Sequence, residues 1–257
     1  MIEIRHIHKF YNQGTVNEMC LFEDFSLTIG DGEFVSVVGS NGSGKTSLLN
    51  LICGSIPVDS GTILINGKDI TNMPEFMRSR FIGRVYQNPA AGTCPNMTIL
   101  ENMSMADVKD KSFNLSPGTA RERIPAYREM LSELGLGLED KLDMKVGTLS
   151  GGQRQALALL MSAMTPIEFL ILDEHTAALD PKTAEVIMKL TDRIVREKHL
   201  TTIMVTHNLR YAVEYGNRLI MMHEGKCIID KAGKEKEDIR IDDILEKFNA
   251  ISIEVGN

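Results

Sequence analysis

At 257 residues, with 43% hydrophobic and 25% charged side chains, the chain has the composition of a folded globular protein, which excludes a disordered or fibrous one. Its formal net charge of −7 and the lack of a basic stripe argue against a protein that binds nucleic acid through bulk electrostatics. No run approaches the roughly 18 apolar residues that span a bilayer, and charge interrupts the first five residues too early for a secretory signal, so we expect a cytoplasmic chain.

Two kinds of strand are predicted from the apolar patterns. The first 30 residues alternate apolar and polar side chains, which predicts antiparallel strands with one solvated face. Three later runs lack this alternation and predict strands that are buried on both faces. These runs are residues 34–38, 169–172 and 203–205.

Each buried strand is followed directly by polar or glycine-rich residues, at 39–46, 173–174 and 206–208. Ligands of open parallel sheets lie outside the carboxyl ends of the strands, so this pattern predicts one shared site. The alternative is coincidental loop polarity.

The pattern becomes helical from about residue 96 to 165. The capping-box spacing at Thr98 predicts the start of a helix, and Pro117-Gly118 predicts a break. A second helix is predicted over 127–134. We interpret residues 96–165 as a mainly helical subdomain.

We predict that the remaining residues, 1–95 and 166–257, form an α/β core into which that subdomain is inserted. Residues 1–257 are therefore predicted to form a single domain. Asp180-Pro181 has the sequence of an N-cap followed by proline at the first helical position. We predict a short strand at 227–229 and a terminal helix near 241–248, and we therefore expect no appended regulatory domain.

A phosphate-binding loop is predicted at residues 39–46, whose sequence GSNGSGKT matches G-x-x-x-x-G-K-[ST]. Its glycines let main-chain N–H groups point at phosphates, and the helix that follows adds its positive end. Lys45, which we expect to face solvent, reaches the β- and γ-phosphates, and the Thr46 hydroxyl binds magnesium. An accidental glycine-rich turn is the alternative, but a buried strand precedes the motif and an apolar helix follows it. The motif therefore predicts binding of ATP or GTP.

Two adjacent acids end the second buried strand. Asp173 is placed to hold Mg²⁺ through water, and Glu174 can orient or deprotonate the attacking water. A carboxylate at a strand end can also serve only to cap a helix, but two acids after so apolar a strand favour a functional role.

The sequence LSGGQRQ at residues 149–155 resembles the signature of ABC ATPases, and DEHTAALD at residues 173–180 resembles the family's Walker B motif and D-loop. The resemblance extends from residue 2 to about 230. It implies an α/β P-loop NTPase fold with a mainly parallel sheet, an N-terminal antiparallel β region and an inserted helical subdomain.

The resemblance also implies an ATP-hydrolysing site shared between two head-to-tail copies. Gln87 matches the Q-loop, His207 the switch histidine and Tyr11 the adenine-stacking aromatic. Taken alone, Ser150 could simply start a helix, His207 could be a packed or solvated side chain and Tyr11 could belong to the core. The implied catalytic residues are Glu174 and His207, the implied ATP-binding residues are Tyr11, Gly39, Ser40, Asn41, Gly42, Ser43, Gly44, Lys45, Thr46, Ser47, Gln87, Ser150, Gly151, Gly152, Gln153 and Asp180, and the implied Mg²⁺ ligands are Thr46, Gln87 and Asp173.

One residue departs from the family pattern, because His175 stands where a proline or another small residue commonly follows the Walker B acids. We expect it to add a titrating group beside Glu174, and with it a pH effect.

The resemblance implies that the chain acts with a second, identical ATPase subunit and an integral membrane permease on the inner face of the cell membrane. An extracytoplasmic substrate-binding protein would act through the permease, and no nucleic acid is expected. A non-transport ABC ATPase that clamps a macromolecule is the alternative, although only about a hundred residues separate Lys45 from Ser150, without the sustained heptads of a coiled coil. A GTPase or kinase fits the phosphate loop but not the signature, and the sequence has no N-K-x-D motif.

Overall fold

The structure is a computed structural model that describes residues 1–109 and 118–255. Pro117 of the predicted break therefore lies outside the described residues. The chain divides into two compact units: unit 1 is Met1–Ser79 with His199–Asn257, and unit 2 is Arg80–Lys198. In the described ranges, no helix is long and apolar enough to cross a bilayer.

Unit 1 begins with a four-stranded antiparallel sheet in the order β2-β1-β4-β5. In β1, Ile2 and Ile4 are buried two residues apart, as alternation requires, and Ile7 is also buried beyond a shift of the strand register. The predicted antiparallel region at the amino terminus is therefore confirmed. The strands are β1 (Ile2–Tyr11), β2 (Met19–Ile29), β4 (Ser60–Ile65) and β5 (Lys68–Asp69).

A second group of strands in unit 1 follows the order β10-β9-β3-β8. Strand β3 (Phe34–Gly39) is buried along its whole length and runs parallel to both β8 and β9, as its continuous apolar run predicts. The other strands are β8 (Thr201–Val205), β9 (Arg218–His223) and β10 (Lys226–Ala232), of which β10 pairs antiparallel with β9.

The helices of unit 1 cover these strands. Val38 of β3 packs in one apolar cluster with Ala212, Leu219, Met221 and Ile244, so the terminal helix contributes to the core. The helices are α1 (Lys45–Cys53), α2 (Glu75–Arg78), α7 (Leu209–Glu214), α8 (Lys234–Glu237) and α9 (Ile241–Val255).

Helix α1 ends at Gly54, whose φ of 81° is left-handed. A buried arginine donates hydrogen bonds to the last carbonyl groups of the helix. Arg78 is 3% exposed and donates from Nη1 to the carbonyls of Leu51 at 2.8 Å and Ile52 at 2.9 Å. The same guanidinium donates to the carbonyls of Met73 and Thr71. This side chain satisfies orphan acceptors that every helix end leaves.

The part of unit 2 that the structure describes contains two parallel strands and four α-helices. Strand β6 (Ile82–Val85) pairs with β7 (Phe169–Asp173) so that Val85 lies opposite Leu172. Helix α5 packs against α3, α6 and β6. The helices are α3 (Ile99–Asp107), α4 (Ile124–Ser132), α5 (Gly151–Met164) and α6 (Pro181–Glu197).

The predicted helix starts in unit 2 are confirmed where a capping side chain defines them. Thr98 caps α3 in a reciprocal capping box with Glu101, and Asp180 caps α6. Helix α4 begins three residues before the predicted position 127, because Pro125 occupies the first turn, where a missing N–H costs nothing.

Candidate functional site

The loop between β3 and α1 requires glycine at two points. Gly39 has a φ of +155°, and a Cβ there would lie 2.3 Å from the Met222 carbonyl oxygen. Gly44 has a φ of +100° and would place a Cβ 3.0 Å from the Phe22 ring. The chain can therefore make this tight turn into the start of a helix only without side chains at these positions.

Lys45 in the first turn of α1 points back onto the loop. It is 5% exposed, and its Nζ donates to the carbonyls of Gly39 at 2.7 Å and Ser40 at 2.8 Å. The Ser43 hydroxyl lies 3.4 Å from the same nitrogen. The expectation that Lys45 faces solvent is wrong, because the curled main chain offers the ammonium carbonyl acceptors that remove it from water.

Tyr11 lies beside the start of α1. Its hydroxyl is 3.1 Å from the Ser47 hydroxyl, and the Lys9 ammonium lies 5.6 Å from the centre of its ring. The end of β1 therefore brings a half-buried aromatic ring to the helix that follows the loop.

His207 lines the same cavity as the loop. This cavity has a volume of about 350 Å³ and lies within unit 1, and Gly39, Ser40 and Asn41 form one side of it. Thr206 and His207 follow β8 directly. This agrees with the prediction that functional residues lie after the carboxyl ends of the parallel strands. The terminal helix completes the lining with Leu245 and Phe248. The sequence predicts that helix but contains no signal that places it at this cavity.

Asp173 at the end of β7 is held by an arginine that the sequence analysis missed. The Arg84 Nη2 atom donates to the Asp173 Oδ2 atom at 3.0 Å, and both side chains are largely buried. The guanidinium carbon also lies 4.6 Å from the centre of the Tyr86 ring. The pairing of β6 with β7 aligns these residues, so only a prediction of that register could have found Arg84.

His175 does not provide the expected titrating group. It is 2% exposed, and its Nε2 atom is 3.2 Å from the Thr191 hydroxyl oxygen on α6. Burial lowers the His175 pKa to about 4, because the charged imidazolium would lose its hydration. The imidazole is therefore neutral near pH 7, and the prediction of a titrating group is wrong in that range.

The amino terminus of α5 carries the Ser-Gly-Gly sequence. Ser150 accepts from the Gln153 N–H at 3.2 Å, and Gln153 accepts from the Ser150 N–H at the same distance. A Cβ on Gly152 would lie 2.2 Å from the Thr183 methyl group, so α5 and α6 approach closely here. Ser150 and Gly151 are exposed, at a helix end that carries partial positive charge.

Two further predicted residues lie on exposed segments of unit 2. Gln87 follows β6, and Gln155 of α5 ties that segment down by donating to the Tyr86 carbonyl at 3.1 Å. The Asp180 Oδ1 atom accepts from the Thr183 N–H at 3.1 Å. Hydrogen bonds from Thr183 lower the Asp180 pKa below its ordinary value, since they stabilise the carboxylate.

Each unit thus brings together part of the predicted set. Unit 1 gathers Tyr11, residues 39–47 and His207. Unit 2 contains Gln87, Asp173, Glu174, Asp180 and residues 150–153. Because β6 and β7 are parallel, Gln87 and Asp173 lie at the same end of the two strands. The nucleotide and metal roles of these residues remain predictions.

Known proteins resemble the chain over most of its length. The family model described as ABC transporter matches residues 22–177. A tyrosine transport ATP-binding protein of Clostridioides difficile is 48% identical over 96% of this chain and 98% of its own length. A spermidine/putrescine import ATP-binding protein of Haemophilus influenzae is 35% identical over 91% of this chain. The chain spans 59% of the length of that second relative.

Solved structures give the same result. A dimeric ATP-binding cassette in a post-hydrolysis state, bound to ADP and Pi, matches with a TM-score of 0.77 and 28% identity over 90% of this chain and 98% of its own. A nucleotide-free cassette from an ABC transporter matches with a TM-score of 0.76 and 25% identity, over 96% of this chain and 95% of its own.

Proposed function

The chain belongs to the ABC transporter family and is an ATP-binding ATPase, and from this premise we propose that it powers the import of a solute through a separate membrane permease. One observation carries the proposal: the 48% identity to a transport ATP-binding protein runs over nearly the whole of both chains. We also propose that residues 1–257 form a single ABC ATPase domain, with residues 96–165 as its helical subdomain.

In this proposal, the loop of unit 1 holds the phosphates of ATP. Main-chain N–H groups of residues 39–46 and the positive end of α1 receive the phosphate oxygens. Lys45 exchanges its carbonyl acceptors for the β- and γ-phosphates, and the Tyr11 ring stacks on the adenine, an interaction worth about 1–3 kcal/mol in stacked bases.

The Mg²⁺ of the substrate would be held by Thr46, Gln87 and Asp173. A hydroxyl, an amide and a carboxylate offer oxygen donors, which Mg²⁺ prefers, and the ion usually completes its shell with water and substrate phosphates. Bound Mg²⁺ would neutralise charge on the phosphate oxygens.

Hydrolysis requires a base for the attacking water, and we assign this role to Glu174. The residue follows Asp173 directly and is partly exposed, whereas its neighbours are buried. His207, which shares a cavity with the phosphate loop, donates a hydrogen bond to the γ-phosphate. General-base catalysis of this kind contributes about 10²–10⁴-fold.

A second copy of the chain completes each site in this proposal. The amino terminus of α5, where Ser150 and Gly151 are exposed and Gly152 is buried, receives the γ-phosphate held by the other copy, and Gln153 and Asp180 line the same junction. Support comes from a matching cassette that is dimeric and bound to ADP and Pi. The first N–H groups of a helix lack intrahelical partners, and this makes a helix amino terminus such as that of α5 suited to bind an anion.

The proposed partners are a membrane permease, which holds the chain at the cytoplasmic face of the membrane, and an extracytoplasmic substrate-binding protein that acts through the permease. No nucleic acid takes part. The relatives are named for different solutes, tyrosine and the polyamines among them, so specificity is a property of the partners. Tyrosine is the first solute to test, because the relative named for it shares the higher identity.

The test is to isolate this chain from membranes of its native cells and to identify what co-purifies. We expect a polytopic membrane protein that stimulates ATP hydrolysis by the chain when both are reconstituted in vesicles. Uptake of labelled tyrosine into cells with and without the chain then tests the solute. An ATPase that co-purifies with nucleic acid or with soluble proteins alone would overturn the transport proposal.

A further inference from the structure

Glu174 has an unusual conformation between buried neighbours. Asp173, His175 and Thr176 are at most 9% exposed, whereas Glu174 is half-buried. Its φ of +48° lies in the left-handed region, which residues with a side chain rarely adopt. Such a conformation persists only where the surrounding structure enforces it.

Helix α6 offers that enforcement through His175. The Thr191 hydroxyl donates to the Ile187 carbonyl at 2.8 Å, so its oxygen accepts from the imidazole Nε2–H at 3.2 Å. Thr191 and Ile187 are fully buried. His175 therefore acts as a neutral donor with its hydrogen on Nε2, and no water competes for the bond.

Two main-chain hydrogen bonds of this segment are local. The Ala177 N–H donates to the Glu174 carbonyl at 2.9 Å, and the Leu179 N–H donates to the Thr176 carbonyl at 3.2 Å. The bond between His175 and Thr191 instead joins residues 16 positions apart. It ties the residue next to Glu174 to the interior of a 17-residue helix.

We propose that His175 is a positioning residue for Glu174. Its hydrogen bond to Thr191 holds the main chain of Glu174 in the left-handed conformation and so fixes the position of the carboxylate relative to the attacking water. This inference rests on the proposed role of Glu174 as the base. A proline at position 175 would have no side-chain donor for Thr191. The contact that we propose here is therefore not available to a chain with proline at this position.

Two variants remove the bond from opposite ends. His175→Leu removes the donor and Thr191→Val removes the acceptor at nearly constant volume. Each should lower kcat for ATP by about 10-fold, with KM for ATP within about 2-fold of the wild-type value, since misplacing one group costs rate rather than ground-state binding. The double variant should be no worse than either single one, because both remove the same contact.

His175→Gln tests the chemistry of the contact, because the amide nitrogen of glutamine can donate from a position close to Nε2. It should recover most of the lost kcat. Ser104→Ala is the matched control: Ser104 is a fully buried hydroxyl on α3 that also donates to a carbonyl four residues earlier. It should lower the melting temperature as Thr191→Val does, with kcat kept.

A last comparison separates the two hypotheses. In a Glu174→Gln background, His175→Leu should cause no further loss of turnover, because it acts through Glu174. Normal turnover by Glu174→Gln alone would defeat the assignment of the base, whatever His175 does. If Glu174→Gln is inactive but Thr191→Val keeps wild-type kcat, or if glutamine and leucine at position 175 are equally impaired, the positioning role is wrong.

Discussion

The phosphate loop of unit 1 and the acidic segment of unit 2 are built by opposite means. At residues 39–46 the conformation follows from glycine and the main chain, and the one charged side chain, Lys45, is satisfied by carbonyls five and six residues away. At residues 173–175 the side chains depend on distant partners, since Arg84 reaches Asp173 across 89 residues and His175 reaches Thr191 across 16.

This difference indicates where each region is vulnerable. A loop that is shaped by its main chain depends on its glycines, because a side chain at those positions causes strain and steric overlap. A segment that is shaped by distant side chains fails when any one of its partners is removed, because a buried polar group is then left without its bond.

The largest effect is expected at the acidic segment. Glu174→Gln keeps the size of the side chain and removes the base, so turnover should fall by about 10²–10⁴-fold while ATP binding persists. The variant should also accumulate as a dimer in ATP but not in ADP, as measured by size-exclusion chromatography with light scattering. Near-normal hydrolysis, or a monomer at saturating ATP, would contradict the mechanism.

A second main-chain site, at the start of α5, allows the comparison to be extended. Ser150→Arg places a long side chain over exposed N–H groups, so turnover should fall by about 10²–10³-fold, the usual effect of losing a donor to the reacting group. Binding of ATP to a single subunit should stay near the wild-type value, as measured by calorimetry with dilute protein. If this variant hydrolyses ATP normally, the site is not shared between two copies.

Lys45→Ala tests the charged component of the phosphate loop. Hydrogen bonds to charged groups contribute about 1.5–3 kcal/mol, so affinity for MgATP should fall by about 10–100-fold. Because Lys45 is buried against its own loop, we also expect a lower melting temperature without nucleotide, which a solvent-facing lysine would not give. An unchanged ATP affinity would rule out the phosphate-loop assignment.

The smallest effect concerns pH and belongs to the acidic segment. The pKa of His175 is lowered from 6.5 to about 4, so the unfolded chain binds the proton more readily. The free energy of unfolding is therefore not reduced by His175 above pH 6.5, and it decreases progressively as pH falls from 6.5 toward 4. Without nucleotide, His175→Gln should lose about 2 kcal/mol less stability than wild type between pH 7 and pH 4.5, as measured by urea unfolding. Equal losses would show that the histidine is already accessible to water.

The sequence was sufficient for features encoded by neighbouring residues. The buried strands, the capping box at Thr98 and the glycine loop each follow from spacings of a few residues, which constrain the main chain directly. The boundary of α4 was missed by three residues, because a proline in the first turn permits an earlier start without specifying it.

Contacts between distant residues could not be predicted. Arg84 meets Asp173 through the register of two strands, and Leu245 and Phe248 reach the cavity of His207 through packing of the terminal helix. The burial of Lys45 and His175 was likewise missed, because the burial of a polar side chain depends on the hydrogen-bond partners that the fold supplies.

The guanidinium of Arg78 has a mechanical consequence. It joins the carboxyl end of α1 to the carbonyls of Thr71 and Met73, at 2.9 and 2.7 Å, so this end of the short helix is held to a separate segment of the chain. These bonds oppose fraying of the carboxyl end when the amino end, where the phosphate loop ends, is displaced. A displacement of α1 along its axis would therefore also move the segment at Thr71 and Met73.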